Sequence, residues 1–427
     1  MSIKNSTLAV ATLILIGRIT GFGREWLLSS ILGANEKTDV AVILFTFPDL
    51  IVSLFLGGGL STSLIPYLRS VENQKKKSLI RQLSIFVGLI FFFIALLFAI
   101  NLETIWNFLA PGLGPEIKQE SNNYFLIIIF SIPITAITGV LTSYLNSKSK
   151  FKVAASGTIL FNSGIIFGLI LNIPIFWRIT IGVIFGSFLR FFAQNSFVKL
   201  FKGTGLKNFL NENLITKVFI KSFFFNFTFI TSITLMPAIG KAWASTINEG
   251  DLTLFSYSNK LIELPIGIVV GSLTTVLLTK LTNDSSISNI VRSIRLVTII
   301  TLFIAIPSFL LTPLIVKTVY FKGQFDNFQL DQLIALTRIG YLFLLPQVLV
   351  TLFSTIFASK NKQKVLWPVG ILMVTLVNFF AYNLSLSGDL VSIAYANGIT
   401  YLIISIVLYI LLNVFVDKRI HEYLITF

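Results

Sequence analysis

The stretch Gly17-Arg18-Ile19-Thr20-Gly21-Phe22-Gly23-Arg24-Glu25 places two arginines inside the first long apolar run of the chain, which extends from Leu8 to Leu32. That run is long enough to cross a bilayer, because a helix of about 20 apolar residues spans the hydrocarbon. A guanidinium at mid-membrane depth costs from about 2.5 to more than about 10 kcal/mol. Arg18 and Arg24 are therefore expected to face water, a counter-ion or an anionic ligand.

The residues alone leave two interpretations of this arginine pair open. In the first, the arginines form structural ion pairs with a buried carboxylate, such as Glu25 or a residue of a neighbouring helix. In the second, they line a cationic cavity between helices, and the rest of the chain forms the walls of that cavity.

The composition is that of a membrane protein with many spans. Of the 427 residues, 55% are hydrophobic and 12% are charged, and the mean hydropathy is +0.86. Such values leave no room for a sizeable soluble domain. The absence of Cys excludes disulfides, thiolate metal sites and cysteine nucleophiles. The chain also lacks a nucleotide-binding Gly-x-x-x-x-Gly-Lys-Ser/Thr loop, so we expect no direct use of ATP.

The hydrophobic runs predict about twelve transmembrane helices, so the predicted fold class is all-α. The predicted spans are residues 7–32, 38–69, 82–102, 123–146, 153–174, 178–200, 215–238, 252–279, 293–319, 331–358, 366–385 and 391–416.

The positive charges predict the orientation of these spans. Most Lys and Arg residues fall at the N-terminus and in the even-numbered connections, and few fall on the opposite side: Lys37, Lys118, Arg178, Lys317 and Lys322. By the positive-inside rule both termini are cytoplasmic. The net charge of +15 is therefore read as a topology signal with contact to anionic membrane lipids, and not as a sign of nucleic-acid binding.

An internal repeat divides the chain into two halves. Ser147-Lys-Ser-Lys-Phe-Lys-Val153 recurs as Ser359-Lys-Asn-Lys-Gln-Lys-Val365, and Leu60-Ser-Thr-Ser-Leu-Ile-Pro-Tyr-Leu68 resembles Leu273-Thr-Thr-Val-Leu-Leu-Thr-Lys-Leu281, at nearly the same separation. Because six spans lie between equivalent helices, the halves have the same orientation, as in transporters built from parallel repeats. We predict two six-helix lobes related by pseudo-two-fold symmetry, residues 1–201 and 215–427, joined by a basic cytoplasmic linker at 202–214.

Lys260 is the second-half candidate for a functional cation. Glu263 lies three residues further on, close enough on a helix for a local ion pair. Alternatively, Lys260 faces Arg18 and Arg24 across a cleft, so that the three cations hold one anionic head group. Arginine suits phosphate because its fork donates bidentate hydrogen bonds, whereas lysine acts as a point charge. Asp39 is either a gate partner or a helix cap following Thr38.

Further stretches follow the same order along the chain: Leu32-Gly-Ala-Asn-Glu-Lys-Thr-Asp39, Phe47-Pro-Asp49, Ala110-Pro-Gly112, Leu145-Asn-Ser-Lys-Ser-Lys-Phe151, Tyr257-Ser-Asn-Lys-Leu-Ile-Glu-Leu-Pro265 and Phe321-Lys-Gly-Gln-Phe325. With the opening stretch, they resemble the MurJ/MviN family of lipid II flippases, within the multidrug/oligosaccharidyl-lipid/polysaccharide exporter superfamily. The resemblance spans nearly the whole chain.

The resemblance implies a MurJ/MATE-like flippase, not an enzyme, in the bacterial cytoplasmic (inner) membrane. Its substrate would be lipid II, the undecaprenyl-pyrophosphate-linked peptidoglycan precursor, moved from the inner to the outer leaflet. The resemblance assigns Arg18, Arg24 and Lys260 to substrate binding in a central cationic cavity with Asp39 nearby, although the family usually has arginine at the position of Lys260. From the residues themselves, Asp39, Glu25 and Glu263 are candidates for gate or ion-pair roles. It implies no metal and no bound cofactor; a coupling ion or the membrane potential would drive transport. We expect a monomer that has cell-wall synthesis proteins as partners.

Departures from the family pattern leave alternatives for the substrate. The family's basic pair after the second-span proline is here Val52-Ser53, and its acidic Glu-Gly-Ala step is Gly57-Gly58-Gly59. Many members also have two further C-terminal helices beyond the part that corresponds to this chain. A flippase for another polyprenyl-linked oligosaccharide, of O-antigen or exopolysaccharide type, is the main alternative. A multidrug/cation antiporter would prefer an acidic cavity; a membrane glycosyltransferase and a non-transporting scaffold are the remaining classes.

Overall fold

The computed structural model describes residues 3–54, 60, 64, 67–68, 71–148, 150–200, 217–283, 286–320, 324–360, 362–418 and 420, without the side chains of 3–14, 73–74, 217–228 and 268–283. Throughout these residues the regular structure is helical. The predicted linker at 202–214 and the glycines at 57–59 lie outside the described residues.

The helices follow one another with short connections. In the first half they are α1 (Ile3–Leu32), α2 (Glu36–Val52), α3 (Asn73–Ile100), α4 (Leu102–Leu109), α5 (Pro115–Ile129), α6 (Ile132–Ser147), α7 (Phe151–Ile170) and α8 (Ile175–Val198). In the second half they are α9 (Lys217–Ala244), α10 (Asp251–Asn283), α11 (Ile287–Tyr320), α12 (Asn327–Leu342), α13 (Leu344–Ser359), a 3₁₀ turn (Gln363–Val365), α14 (Leu366–Ser385) and α15 (Leu390–Phe415).

The chain is a multi-span membrane protein. Within the described residues, seven helical segments are long and apolar enough to cross a membrane, and the bent pair α12 and α13 makes an eighth. The all-α polytopic prediction is therefore confirmed. The total of about twelve spans stays a prediction, because parts of the first, second, seventh and eighth predicted spans lie outside the described side chains.

Two predicted spans are interrupted by prolines. The span expected at 123–146 is split into α5 and α6 just before Pro133, and the span expected at 331–358 bends by 43° between α12 and α13, just before Pro346. Proline has no N–H and its ring clashes with the preceding turn, so a helix breaks there. The two prolines are separated by nearly the same number of residues as the sequence repeats, which extends the internal repeat.

Contacts between Cα atoms divide the chain into two compact units. Unit 1 comprises Met1–Leu28, Val40–Phe108 and Gly114–Thr234, and unit 2 comprises Ser29–Asp39, Leu109–Leu113 and Leu235–Phe427. Two short segments of the first half thus belong with the second half. The predicted lobe boundaries at 201 and 215 stay a prediction.

Glycines allow α7 and α8 of unit 1 to pack closely. A Cβ atom on Gly164 would lie 2.3 Å from the Cα of Gly186, and one on Gly168 would lie 2.7 Å from the Cα of Gly182. Small residues are the usual device by which membrane helices bring their backbones together. This close pair is the scaffold beside which the polar side chains of unit 1 are placed.

In unit 2, the family-like stretches of the first half pack against the α9–α10 connection. The N–H of Gly112 donates to the hydroxyl of Ser245 at 3.2 Å. Gly250 adopts a φ of 86°, and a Cβ atom there would lie 2.7 Å from the backbone of Ala34. Only glycine takes such a φ at low cost, so both the turn and the close approach of the backbone require glycine at position 250.

Candidate functional site

Arg24 of unit 1 lies in a buried polar cluster between α1 and α7. Its Nη1 donates to Oδ1 of Asn162 at 3.0 Å, and its Nη2 donates to Oε1 of Glu25 at 3.1 Å. The guanidinium carbon lies 4.0 Å from the ring centroid of Phe45, in cation–π geometry. Arg24 is therefore held on several sides and does not face lipid.

Asn162 connects this guanidinium to the backbone of α1. Its Nδ2 donates to the carbonyl oxygen of Gly17 at 3.2 Å and to the hydroxyl of Thr20 at 3.4 Å. A Cβ atom on Gly21 would lie 3.2 Å from the same Nδ2, so a glycine there leaves room for the amide. Gly21, between the two arginines of the opening stretch, thus admits a polar side chain from another helix.

Glu25 supplies the counter-charge of Arg24. Its side chain is 0% exposed and that of Arg24 is 7% exposed. Nε of Arg24 has no hydrogen-bond partner among the described residues. The positive charge of Arg24 is therefore compensated by one carboxylate, while its Nε–H is left without an acceptor among the described residues.

Arg18 is half-buried on the same helix. Six residues separate it from Arg24, which is about 9 Å along a helix axis. Positions six apart do not share a helix face, because neighbours on a face are three or four residues apart. Arg18 and Arg24 thus belong to one unit and one helix, and their Cα atoms are offset by about 120° around α1.

Asp39 of unit 2 caps the N-terminus of α10. Its Oδ2 accepts from the N–H of Gly250 at 2.8 Å, and its Oδ1 accepts from the N–H of Thr253 at 2.8 Å and from the Thr253 hydroxyl. A carboxylate suits this place because the first N–H groups of a helix have no partner within it and carry partial positive charge. The cap of α2 itself is Asn35, whose Oδ1 accepts from the N–H of Thr38 at 3.1 Å.

Lys260 pairs with Glu263 one turn further along α10. The distance from Nζ to Oε2 is 2.7 Å, and the two side chains are 25% and 46% exposed. This pair is local and open, in contrast to the buried cluster around Arg24. Whether Lys260 shares a cavity with Arg18 and Arg24 stays a prediction, because the cations belong to different units.

The sequence shows Arg190 and Arg338 only as further cations inside predicted spans, and it gives Asn162 no role. Arg190 pairs with Asp49 within unit 1 at 3.0 Å, and the guanidinium carbon of Arg338 lies 5.8 Å from the ring centroid of Phe309. The signal for Asn162 was a lone amide in the apolar run of α7, which alone does not identify its partner. Across the described part of the chain, no group of three or more His, Asp or Glu is placed to hold a metal ion.

The family profile described as lipid II flippase MurJ matches residues 28–424. The probable lipid II flippase MurJ of Buchnera aphidicola subsp. Acyrthosiphon pisum (strain APS) is 26% identical over 432 residues, which cover 96% of this chain and 84% of the relative. The lipid II flippase MurJ of Burkholderia cenocepacia is 24% identical over 413 residues, which cover 90% of this chain and 78% of the relative.

Two solved structures share the fold. A lipid II flippase MurJ in an inward closed conformation superimposes with a TM-score of 0.83 at 21% identity, covering 95% of this chain and 87% of that one. An inward-facing multidrug resistance MATE family transporter of the MOP superfamily gives a TM-score of 0.71 at 14% identity, covering 96% and 98%. At these identities the likeness establishes the fold, and the MurJ/MATE-like prediction is confirmed.

Proposed function

This chain belongs to the lipid II flippase MurJ family, and we propose that it carries lipid II from the inner to the outer leaflet by alternating access. The observation that supports this function in the chain itself is the ordered guanidinium of Arg24 inside a membrane helix, held by Asn162 and Glu25. A charged side chain inside a membrane helix is costly, and such residues mark functional sites. The pyrophosphate of the lipid is the anion that would use it.

In the proposed mechanism, Arg18, Arg24 and Lys260 bind the pyrophosphate. Arginine donates two parallel hydrogen bonds to phosphate oxygens, and lysine adds a point charge. Glu263, which pairs with Lys260 at 2.7 Å, acts as its counter-ion when no substrate is bound. Glu25 stays paired with Arg24 at 3.1 Å and positions its guanidinium. Asp39 keeps the N-terminus of α10, and with it Lys260, in position.

We place the protein in the bacterial cytoplasmic membrane with both termini in the cytoplasm, as the distribution of Lys and Arg predicts. It acts as a monomeric transporter of peptidoglycan biosynthesis and supplies precursor to cell-wall synthesis proteins. The membrane potential or a coupling ion drives the cycle, because moving a charge across the potential releases energy.

A second candidate substrate is another polyprenyl-pyrophosphate-linked oligosaccharide. The cations proposed here bind the pyrophosphate, which such lipids share, and do not distinguish sugars. The specific observation that favours this alternative is the uncharged pair Val52-Ser53 where the family has basic residues.

The test is complementation in cells depleted of their lipid II flippase. We expect wild-type protein to restore growth, and we expect the triple variant Arg18→Ala, Arg24→Ala, Lys260→Ala to fail although it reaches the membrane. Lys75→Ala, which removes an exposed ion pair with Glu72 at 3.6 Å, is the matched control and should rescue normally. Normal rescue by the triple variant would overturn the assignment of these cations.

Binding of purified protein distinguishes the two substrates. Native mass spectrometry with lipid II and with an undecaprenyl-pyrophosphate-linked O-antigen unit should show tighter binding of lipid II. A clear preference for the second lipid would transfer the proposal to the alternative.

A further inference from the structure

Unit 1 also contains an ion pair that joins two helices, between Asp49 of α2 and Arg190 of α8. Nη1 of Arg190 donates to Oδ1 of Asp49 at 3.0 Å, although the two residues are 141 positions apart in the sequence. Arg190 lies eight residues before the end of α8 at Val198, about 12 Å along the helix axis. The pair is therefore inside a membrane-spanning segment and not at its end.

The pair is open on the side of the carboxylate. The side chain of Asp49 is 40% exposed and that of Arg190 is 17% exposed. An ionised carboxylate at this depth does not face hydrocarbon, because charged residues in membrane helices point to the bundle interior or to a water-filled cavity. The exposed part of Asp49 therefore marks a wet surface of unit 1.

The surroundings of Arg190 leave its guanidinium incompletely bonded. Its Nε is buried and has no hydrogen-bond partner among the described residues. Gln194, one turn further along α8, is already engaged with Thr142, to which its Nε2 donates at 2.9 Å. Gly157 of α7 offers no side chain, and a Cβ atom there would lie 3.3 Å from the Nε of Arg190.

The ion pairs Arg24–Glu25 and Arg190–Asp49 differ in the free energy that is needed to separate them. Glu25 is 0% exposed, so release of Arg24 would leave a carboxylate buried without its counter-charge, which is strongly unfavourable. Asp49 is already partly hydrated, so it can lose Arg190 and remain solvated. Phosphate binds the same guanidinium donors as a carboxylate does, with the same bidentate geometry.

We propose that Arg190 is a further head-group-binding residue, and that a phosphate of the lipid substrate displaces Asp49 from it. This inference rests on the proposed function, since it needs a lipid with an exposed phosphate as the ligand. Asp49 acts as a built-in competitor that keeps the cation neutralised until the phosphate arrives. Beyond Pro48, Asp49 is the one charged residue in the described part of α2, which ends at Val52.

The exchange predicts opposite effects for the two partners. We would measure the affinity of purified, full-length protein in detergent for undecaprenyl pyrophosphate, a probe that carries the phosphates without the sugar. Arg190→Gln should weaken binding by about tenfold, because a charge-assisted contact is lost. Asp49→Asn should tighten binding by about threefold or more, because the competing carboxylate is gone. Arg190→Lys should lie between wild type and Arg190→Gln.

A purely structural ion pair would behave differently. In that case Asp49→Asn and Arg190→Gln would lower the melting temperature together and would change the affinity in the same direction, which would overturn the inference. Should Asp49→Asn not purify as a folded protein, Asp49→Ser serves the same purpose because it also removes the charge. Lys75→Gln is the control for loss of an exposed pair and should leave the affinity unchanged.

Arg24→Gln separates this inference from the proposed function. If wild-type protein does not bind the probe, the proposed function fails and the inference fails with it. If wild type binds and Arg24→Gln binds more weakly, while neither Asp49→Asn nor Arg190→Gln changes the affinity, the proposed function stands and only the exchange at Arg190 is refuted.

Discussion

The ion pair of Arg24 with Glu25 and that of Lys260 with Glu263 are built in opposite ways. The first is buried, with side chains 7% and 0% exposed, and Arg24 also bonds to Asn162. The second joins neighbours on one turn of α10, and its side chains are 25% and 46% exposed. One pair is fixed by a neighbouring helix, whereas the other joins two partly exposed side chains of a single helix.

Because of this difference, substitutions at the two pairs are expected to affect folding stability and ligand binding to different extents. Removal of one partner from a buried pair leaves an uncompensated charge inside the protein. An exposed pair contributes little, because water and salt screen it and both side chains lose freedom. Variants around Arg24 therefore report on folding as well as on binding, and variants of Lys260 report mainly on binding.

The largest effect is expected for Glu25→Ala. Loss of the carboxylate leaves the charge of Arg24 buried, which should lower the free energy of unfolding by about 3–5 kcal/mol. Glu263→Ala is the matched control and should cost less than about 1 kcal/mol. Unfolding of the two purified variants, followed by circular dichroism in detergent, measures both values. Equal destabilisation of the two variants would break the comparison.

A smaller loss is expected for Asp39→Ala. Three donors from Gly250 and Thr253 lose their acceptor inside the protein, which should cost about 2–3 kcal/mol. Asp389→Ala removes an exposed cap, whose Oδ1 accepts from the N–H of Val391 at 3.0 Å, and should cost about 1 kcal/mol or less. Thermal melts of both variants measure the two losses of stability. A larger loss of stability in Asp389→Ala than in Asp39→Ala would show that the Asp39 contacts contribute little.

Asn162→Ala tests how far the amide alone holds Arg24. It removes one acceptor of a charged hydrogen bond, so we expect a loss of about 1–2 kcal/mol and weaker complementation. Asn383→Ala, at an exposed asparagine whose Nδ2 donates to the carbonyl of Phe379 on the same helix, serves as the control. Unchanged stability and growth in Asn162→Ala would mean that Glu25 and Phe45 suffice to position the guanidinium.

The smallest effect on stability is expected for Lys260→Gln. Its unfolding free energy should stay within about 1 kcal/mol of wild type, yet the variant should lose complementation because it lacks a proposed phosphate contact. Lys260→Arg keeps the charge and should restore growth. A stable Lys260→Gln variant that supports normal growth would remove Lys260 from the proposed site.

Much of the fold was predictable because a membrane helix corresponds to a continuous apolar run in the sequence. The predicted span 366–385 and the helix Leu366–Ser385 have the same bounds. The bend before Pro346 was missed, although a proline inside a run is a local signal, because the apolar pattern continues through it. The membership of residues 29–39 and 109–113 in unit 2 was not predictable, since no local pattern reports which half a connection packs against.

The residues of the candidate site were also only partly predictable from the sequence. The sequence identifies Arg18, Arg24 and Lys260 as cations that a membrane protein must explain, and it places Glu25 and Glu263 within reach of two of them. It contains no sign that Asp39 caps α10, because Gly250 and Thr253 lie far away along the chain.

By itself, then, the sequence determined that the chain is a multi-span helical membrane protein and where its intramembrane charges lie. A backbone in lipid must satisfy its own hydrogen bonds, so long apolar runs become helices whatever surrounds them. Only the tertiary structure decided that Asn162 bonds Arg24 and that Asp49 pairs with Arg190. Those partners come from helices distant in sequence, and helix packing alone brings their side chains to hydrogen-bonding distance.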